Sequence, residues 1–260
     1  MGVGEELLEY LRLHVCISSA SVALFGYLSF HPYSTSALLA FFSMALVVGS
    51  IYSYNFITDR LEDEGNARLL SNRFVRVRHW GALVSGMTAV AGLLLSALLS
   101  PLHLLISGML LAIGHGYSFL RLKRGFLLKN VSIGLAFGLA YLYGAGFVYL
   151  PGFSFVLLVI IAMSAIADLR DYEGDRAAGI RTIPVTLGPK RTKQFIAILL
   201  LAALLIIAFS DLQHSFALIF FIPSAIAVLN LHKNPYLAHL YMRSGLVTLV
   251  FVALLLSLSA

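Results

Sequence analysis

The sequence predicts an all-α polytopic membrane protein, and three observations predict it. Of the 260 residues, 60% are hydrophobic and only 12% charged, against about 45–50% and about 25% in soluble domains. Mean hydropathy is +0.91, more apolar surface than a core of this size uses, so the outside must be apolar as well. Apolar runs recur along the whole chain, separated by short polar or charged links. A secretory leader is not expected, because Glu5, Glu6 and Glu9 stand where a basic segment would be. The single cysteine, Cys16, lies in an apolar run, which argues against an internal disulfide and a thiolate metal cluster.

Nine spans are expected, in a single domain covering residues 1–260. The first, about 14–30, stops at His31-Pro32-Tyr33, and the second, 34–57, stops where acidic residues begin. Trp80 opens the third at 80–99 as an interfacial aromatic, and Pro101 separates it from the fourth, 102–120. The fifth, 126–148, carries Gly134-x3-Gly138 with Gly144 and Gly146, small residues that let helices approach closely in lipid. The sixth, 153–167, follows Pro151 and ends at Asp168; the seventh covers 195–209. The eighth, 216–231, contains Pro223, whose freed carbonyl a neighbour can satisfy, and the ninth covers 241–258. Several fall short of the roughly 20 residues needed to cross hydrocarbon, so their ends borrow from flanking links.

Charge gives the orientation. If the spans alternate, all eighteen Lys and Arg residues fall on the side holding the N-terminus and the links after spans 2, 4, 6 and 8. The opposite links are short, with Asp211 their only charge. The positive-inside bias then makes the N-terminus and the long links cytoplasmic and places the C-terminus outside. The net charge of +6 therefore reflects topology, and no nucleic-acid partner is expected.

Two cytoplasmic segments carry chemistry. In the first, Asn55, Asp59 and Asp63 recur every fourth residue, so on a helix leaving span 2 they share a face. In the second, Asp171 and Asp175 repeat that spacing at the exit of span 6, with Asp168 about one turn earlier. Like charges at this spacing destabilise a helix, and carboxylates near a membrane need neutralising. Mixed acids and bases on a solvated helix face would explain one such segment; two with matching spacing point to a divalent cation. Mg²⁺ suits carboxylate oxygens and is usually held by one or two of them together with substrate phosphates. Two clusters could hold two ions across one diphosphate.

Cations for an anionic substrate stand nearby: Arg68 and Arg73 after the first cluster, Lys123 and Arg124 after span 4, and Arg170, Arg176 and Arg181 around the second. Each serves equally well as a topology charge, and Lys129 is counted only as one. Tyr52, Tyr54, Tyr117, Tyr141 and Tyr143 offer aromatic faces to a developing cation, or simple packing. No pair among the eight histidines has zinc-ligand spacing. His115 in span 4 reads as a satisfied polar residue or a substrate contact.

Three stretches carry a family resemblance: Asn55-x3-Asp59-x3-Asp63; Tyr117-Ser118-Phe119-Leu120-Arg121-Leu122-Lys123-Arg124 with Asn130 shortly after; and the run from Asp171 to Gly188, Asp171-x3-Asp175-Arg176-Ala177-Ala178-Gly179-Ile180-Arg181-Thr182-Ile183-Pro184 onward. Together with the placement of acids after spans 2 and 6, the chain resembles the UbiA superfamily of intramembrane prenyltransferases over nearly its whole length. The resemblance implies nine helices around a central cavity, roofed by a cytoplasmic cap formed by the loops after helices 2 and 6. It implies an isoprenyl diphosphate substrate, in the geranyl to geranylgeranyl range, and a lipophilic acceptor, either an aromatic quinone precursor or a glycerol-phosphate ether lipid. Catalytic and metal-holding residues would be Asn55, Asp59, Asp63, Asp171 and Asp175, with Asp168 as a further metal ligand. Arg68, Arg73, Tyr117 and Lys123 would bind the diphosphate. Phe56 stands where many members have Asp, and the segment 68–73 lacks the Arg-Pro pair common there.

Two other readings keep the same residues. The carboxylates and arginines could line an ion or anion path in a transporter, although the acids sit at span ends rather than at midplane breaks. A cyclase that ionises the prenyl diphosphate without an acceptor would share the metal ligands and differ in cavity lining.

Overall fold

The computed structural model describes residues 13–58, 80–122, 125–210 and 226. Expected span 8 apart from residue 226, span 9, and Asp59, Asp63, Arg68, Arg73 and Lys123 lie outside the described residues. Within them the chain is helical throughout: α1 (Leu13–Leu28), α2 (Thr35–Thr58), α3 (Gly81–Leu99), α4 (Pro101–Phe119), α5 (Leu128–Ala145), α6 (Leu150–Arg170), α7 (Tyr172–Ala177), α8 (Ile183–Leu187) and α9 (Pro189–Ala208). Five of these, α2, α3, α4, α6 and α9, are long and apolar enough to cross a membrane, and α1 holds a shorter apolar stretch.

The helices follow the expected spans with shifted ends. α6 starts at Leu150 and runs to Arg170, and α9 starts at Pro189, well before the apolar run at 195. In both, a proline occupies the first turn, where its missing N–H has no helical partner to lose. Hydropathy marks where lipid begins; capping marks where the helix begins. α4 shows the same logic, with Ser100 as N-cap accepting from the His103 N–H and Pro101 just inside.

The packing of α3 has an inverted polarity. α3 buries Gly81, Ser85, Gly92 and Ser96 and leaves Leu83, Met87, Val90, Leu94 and Leu98 exposed. A soluble helix does the reverse; small and hydroxylated residues inside with large apolar ones outside is the arrangement lipid favours. Inside, Ser96 is a junction of four helices. Its hydroxyl bonds Ser43 of α2 at 2.8 Å, Ser107 of α4 at 2.7 Å and Tyr143 of α5 at 3.1 Å, as well as the Gly92 carbonyl at 2.8 Å. Ser96→Ala is expected to lower stability by about 1 kcal/mol, near the mean for hydroxyl bonds between membrane helices. The fall in melting temperature of the detergent-solubilised protein should be about 2–4 °C.

α1 packs on α2 and α5, α5 on α6, and α6 on α9, while α4 touches α2, α3 and α5. The span 5 glycines are the close-approach sites expected of them. A Cβ at Gly134 would lie 2.7 Å from Ile161, one at Gly138 2.7 Å from the Phe153 ring, and one at Gly144 1.7 Å from the Ala23 carbonyl oxygen. Gly146, with φ of +75°, ends α5 as its left-handed cap. The helices leave a space between α1, α2, α4 and α5, lined at one end by α7 and the link to α8.

Candidate functional site

That space is a cavity of about 840 Å³. Its polar wall is gathered from distant parts of the sequence: Asn55 from the last turn of α2, Tyr117 from the last turn of α4, Lys129 from the first turn of α5, and Asp175, Arg181 and Thr182 from α7 and its link. Helix ends meet there because α2 and α4 run towards that end and α5 runs away from it. The wall beyond is apolar, with Met44, Val48, Leu110, Phe137 and Ala140. Met44 lies eleven residues before Asn55, and Ala140 eleven after Lys129, a helical rise of about 16 Å in each case. The cavity is therefore an oxygen- and nitrogen-lined head with a deep hydrocarbon-like body.

Local interactions fix the head. The Ser118 hydroxyl donates to Asn55 Oδ1, tying α4 to α2. Thr58 caps the turn around Asn55 by donating to its carbonyl at 3.0 Å. Behind this wall, Ser50 bonds Ser85 at 3.2 Å and His115 at 3.4 Å, and the His115 ring packs on Tyr54 at 4.7 Å. Neither Tyr54 nor His115 lines the cavity, so His115 is a satisfied polar residue of the packing. Tyr52 and Tyr117 do line it. Tyr141 and Tyr143 do not; they are fully buried, Tyr141 against Phe25 and Tyr143 against His103 and Ser96. Their aromatic faces belong to packing, one of the two readings that the sequence leaves open, because α5 turns them towards α1, α3 and α4.

The second acidic segment divides into three environments. Asp175 is half-buried and faces the cavity. Burial holds its carboxyl above the usual carboxylate range, the Lys129 cation opposes this, the Asp168 charge adds to it, the Thr182 hydroxyl opposes it, and Asp171 adds to it. Asp171 is exposed and takes both Nε and Nη2 of Arg170, at 2.8 and 2.7 Å. An exposed pair of this kind is worth about 0–1 kcal/mol, so it holds Asp171 only weakly. Asp168 is wholly buried at the end of α6; one oxygen accepts from the Lys129 ammonium at 2.5 Å and the other from the Asn130 amide at 3.0 Å.

Of the residues singled out from sequence, the structure brings Asn55, Tyr117 and Asp175 into one cavity, with Arg181 beside them. Asp168, on α6, and Asp171, between α6 and α7, do not line it. Lys129 is the addition that sequence reasoning missed. Its only local signal was its position next to Asn130. Among the described residues no group of three or more His, Cys, Asp or Glu side chains could hold a metal ion. Asn55 and Asp175, both carrying hard oxygens, do line one space, and a carboxyl that burial pushes up is one that a bound cation would relieve. That donor set fits Mg²⁺.

Comparison with known proteins bears on this geometry. A family model, described as the UbiA prenyltransferase family, matches residues 15–241. Digeranylgeranylglyceryl phosphate synthase of Methanothermobacter thermautotrophicus is 31% identical over 150 residues, 52% of this chain and 50% of that protein. The protein of the same name from Methanobrevibacter smithii is 26% identical over 164 residues, 58% of this chain and 56% of that one. The match spans about half the length of these curated relatives. Among solved structures, a UbiA homolog from Archaeoglobus fulgidus bound to GPP and Mg²⁺ has a TM-score of 0.77 at 18% identity, over 96% of this chain and 99% of that one. An apo UbiA homolog from Aeropyrum pernix K1 has a TM-score of 0.72 at 22% identity, over 92% and 98%. At these identities the structural likeness establishes the fold.

Proposed function

The chain belongs to the UbiA prenyltransferase family, and we propose that it transfers an isoprenyl group from its diphosphate to a lipophilic acceptor within the membrane, with Mg²⁺. The observation that carries this reading is the two-part cavity: a polar head of Asn55, Tyr117, Lys129, Asp175 and Arg181 opening onto a deep apolar body. An isoprenyl diphosphate has that same division. Asn55, Asp59, Asp63, Asp171 and Asp175 would hold two Mg²⁺ ions, with Asp171 recruited at little cost from its exposed pair with Arg170. Mg²⁺ bound there supplies charge neutralisation for the departing diphosphate.

The chain's own residues do the rest. Arg181, together with Arg68, Arg73 and Lys123, would donate charge-assisted hydrogen bonds to the diphosphate as the carbon–oxygen bond breaks and its electron pair leaves with the diphosphate. Tyr52 and Tyr117 line the cavity beside that head, and their faces would stabilise the allylic cation that remains. The apolar wall excludes water, which would otherwise capture it. The acceptor then forms the new bond and loses a proton. The curated relatives support a glycerol-phosphate ether lipid as acceptor over an aromatic quinone precursor. Nine spans with a cytoplasmic N-terminus, an outside C-terminus and a cap over the cavity complete the reading, supported by the charge distribution.

Calorimetric titration of geranyl and geranylgeranyl diphosphate into purified protein, with Mg²⁺ and with EDTA, tests it. Binding that requires Mg²⁺, followed by turnover on addition of a geranylgeranylglyceryl phosphate acceptor, is expected. Binding of neither diphosphate by protein shown to be folded would sink the reading and favour the ion-path alternative. Diphosphate release without an acceptor would identify the cyclase.

A further inference from the structure

The pair Lys129–Asp168 joins a buried carboxylate to a cation on the cavity wall. Asp168 is 1% exposed while Lys129, at 29%, lines the cavity. Both oxygens of Asp168 are engaged inside the protein, by Lys129 and by Asn130, and Asn130 also donates to Ser164 of α6 at 2.9 Å. This chain of bonds welds the start of α5 to the end of α6. Replacing such buried pairs by apolar residues is often neutral or stabilising, so the pair is weak evidence of a stabilising role. Its position is also unfavourable: Lys129 sits in the first turn of α5, where the helix dipole repels a cation and attracts an anion. An ammonium carries three donors, and the bond to Asp168 uses one.

We propose that Lys129 is a diphosphate-binding residue, held against the head of the cavity by Asp168, whose part is to position Lys129. This rests on the prenyl-transfer reading and extends it to Lys129, which the sequence counts only as a topology charge, and to Asp168, which the sequence takes as a further metal ligand. The anion completes what the dipole and the ammonium begin, and Asp168 prevents the flexible lysine stem from folding away to solvent. Asp168 thereby keeps the cation in place before the substrate arrives, and the entropy of ordering that stem is not charged to binding.

The test uses the full-length protein and compares geranylgeranyl diphosphate with geranylgeranyl monophosphate, both in Mg²⁺. Lys129→Met alone leaves Asp168 buried without its cation and is prone to misfold, so the informative variant is Lys129→Met with Asp168→Asn. In this variant diphosphate affinity should fall about tenfold, the effect of one charge-assisted contact, and the diphosphate-to-monophosphate preference should shrink with it. Lys129→Arg should stay within about threefold of wild type, because the charge remains. In the wild-type protein, Mg²⁺ and geranylgeranyl diphosphate together should protect Lys129 from an amine-reactive label read by mass spectrometry. A folded double variant that keeps the wild-type preference, or a Lys129 labelled equally with and without ligand, overturns this role while leaving prenyl transfer standing. Wild-type protein that binds no isoprenyl diphosphate at all overturns the parent reading instead.

Discussion

Asp175→Asn should lower turnover by about 10³-fold, about 4 kcal/mol of lost transition-state stabilisation, while the melting temperature stays within about 2 °C. The two halves of this expectation have one cause. Asp175 is the carboxylate of the second acidic segment that faces the cavity, and burial disfavours its charged form. The Lys129 cation and the Thr182 hydroxyl offset that burial only in part, so a bound cation would relieve what remains. The amide preserves shape and removes a charge that the fold does not need, so stability survives and metal affinity does not. The measurement pairs single-turnover kinetics at saturating Mg²⁺ with a detergent melting curve. Near-normal turnover would remove Asp175 from the metal set. Lost activity together with a lower melting temperature would make it a folding residue.

Gly144→Leu should destabilise the protein by more than about 3 kcal/mol, beyond the usual overpacking range of about 1–3 kcal/mol, with a fall of about 10 °C in melting temperature. Even a Cβ at this position would stand 1.7 Å from the Ala23 carbonyl oxygen and 2.9 Å from the Tyr27 nitrogen. These are backbone atoms, which cannot rotate aside as a side chain can. Gly26 faces the same interface from α1, 2.2 Å from the Tyr141 carbonyl oxygen by the same measure, so α1 and α5 touch through two reciprocal notches. Gly108, which has open space around it, is the control: Gly108→Leu should change melting by no more than the cost of the helix itself. Equal loss in both variants would mean that the α1–α5 contact is not what holds them together.

Much of this architecture is legible without coordinates. Seven of the expected spans are helices at nearly the expected places, because hydrocarbon forces every backbone polar group into a local hydrogen bond. The boundaries were less legible. Pro151 and Pro189 start helices inside links that hydropathy assigns to solvent. Asn55 and Asp175 could be picked out because each lies in a motif spaced by the helical repeat, and Tyr117 because it stands in a stretch that carries the family resemblance; all three converge on one cavity.

Spacing alone could not separate residues with the same local signal. Asp168, Asp171 and Asp175 are all acids on successive turns, yet one is buried against Lys129, one is exposed beside Arg170 and one faces the cavity. Tyr52 and Tyr117 line the cavity while Tyr141 and Tyr143 pack behind it. Lys129 is indistinguishable in sequence from a topology charge, since its partner lies 39 positions away on another helix. What local sequence carries is set by forces that act along one helix: hydropathy, periodicity, caps and the bias of charge across the membrane. Which of several equivalent side chains meets the substrate depends on how α2, α4, α5 and α6 rotate against one another, and that is decided by contacts between glycines and serines distant in sequence.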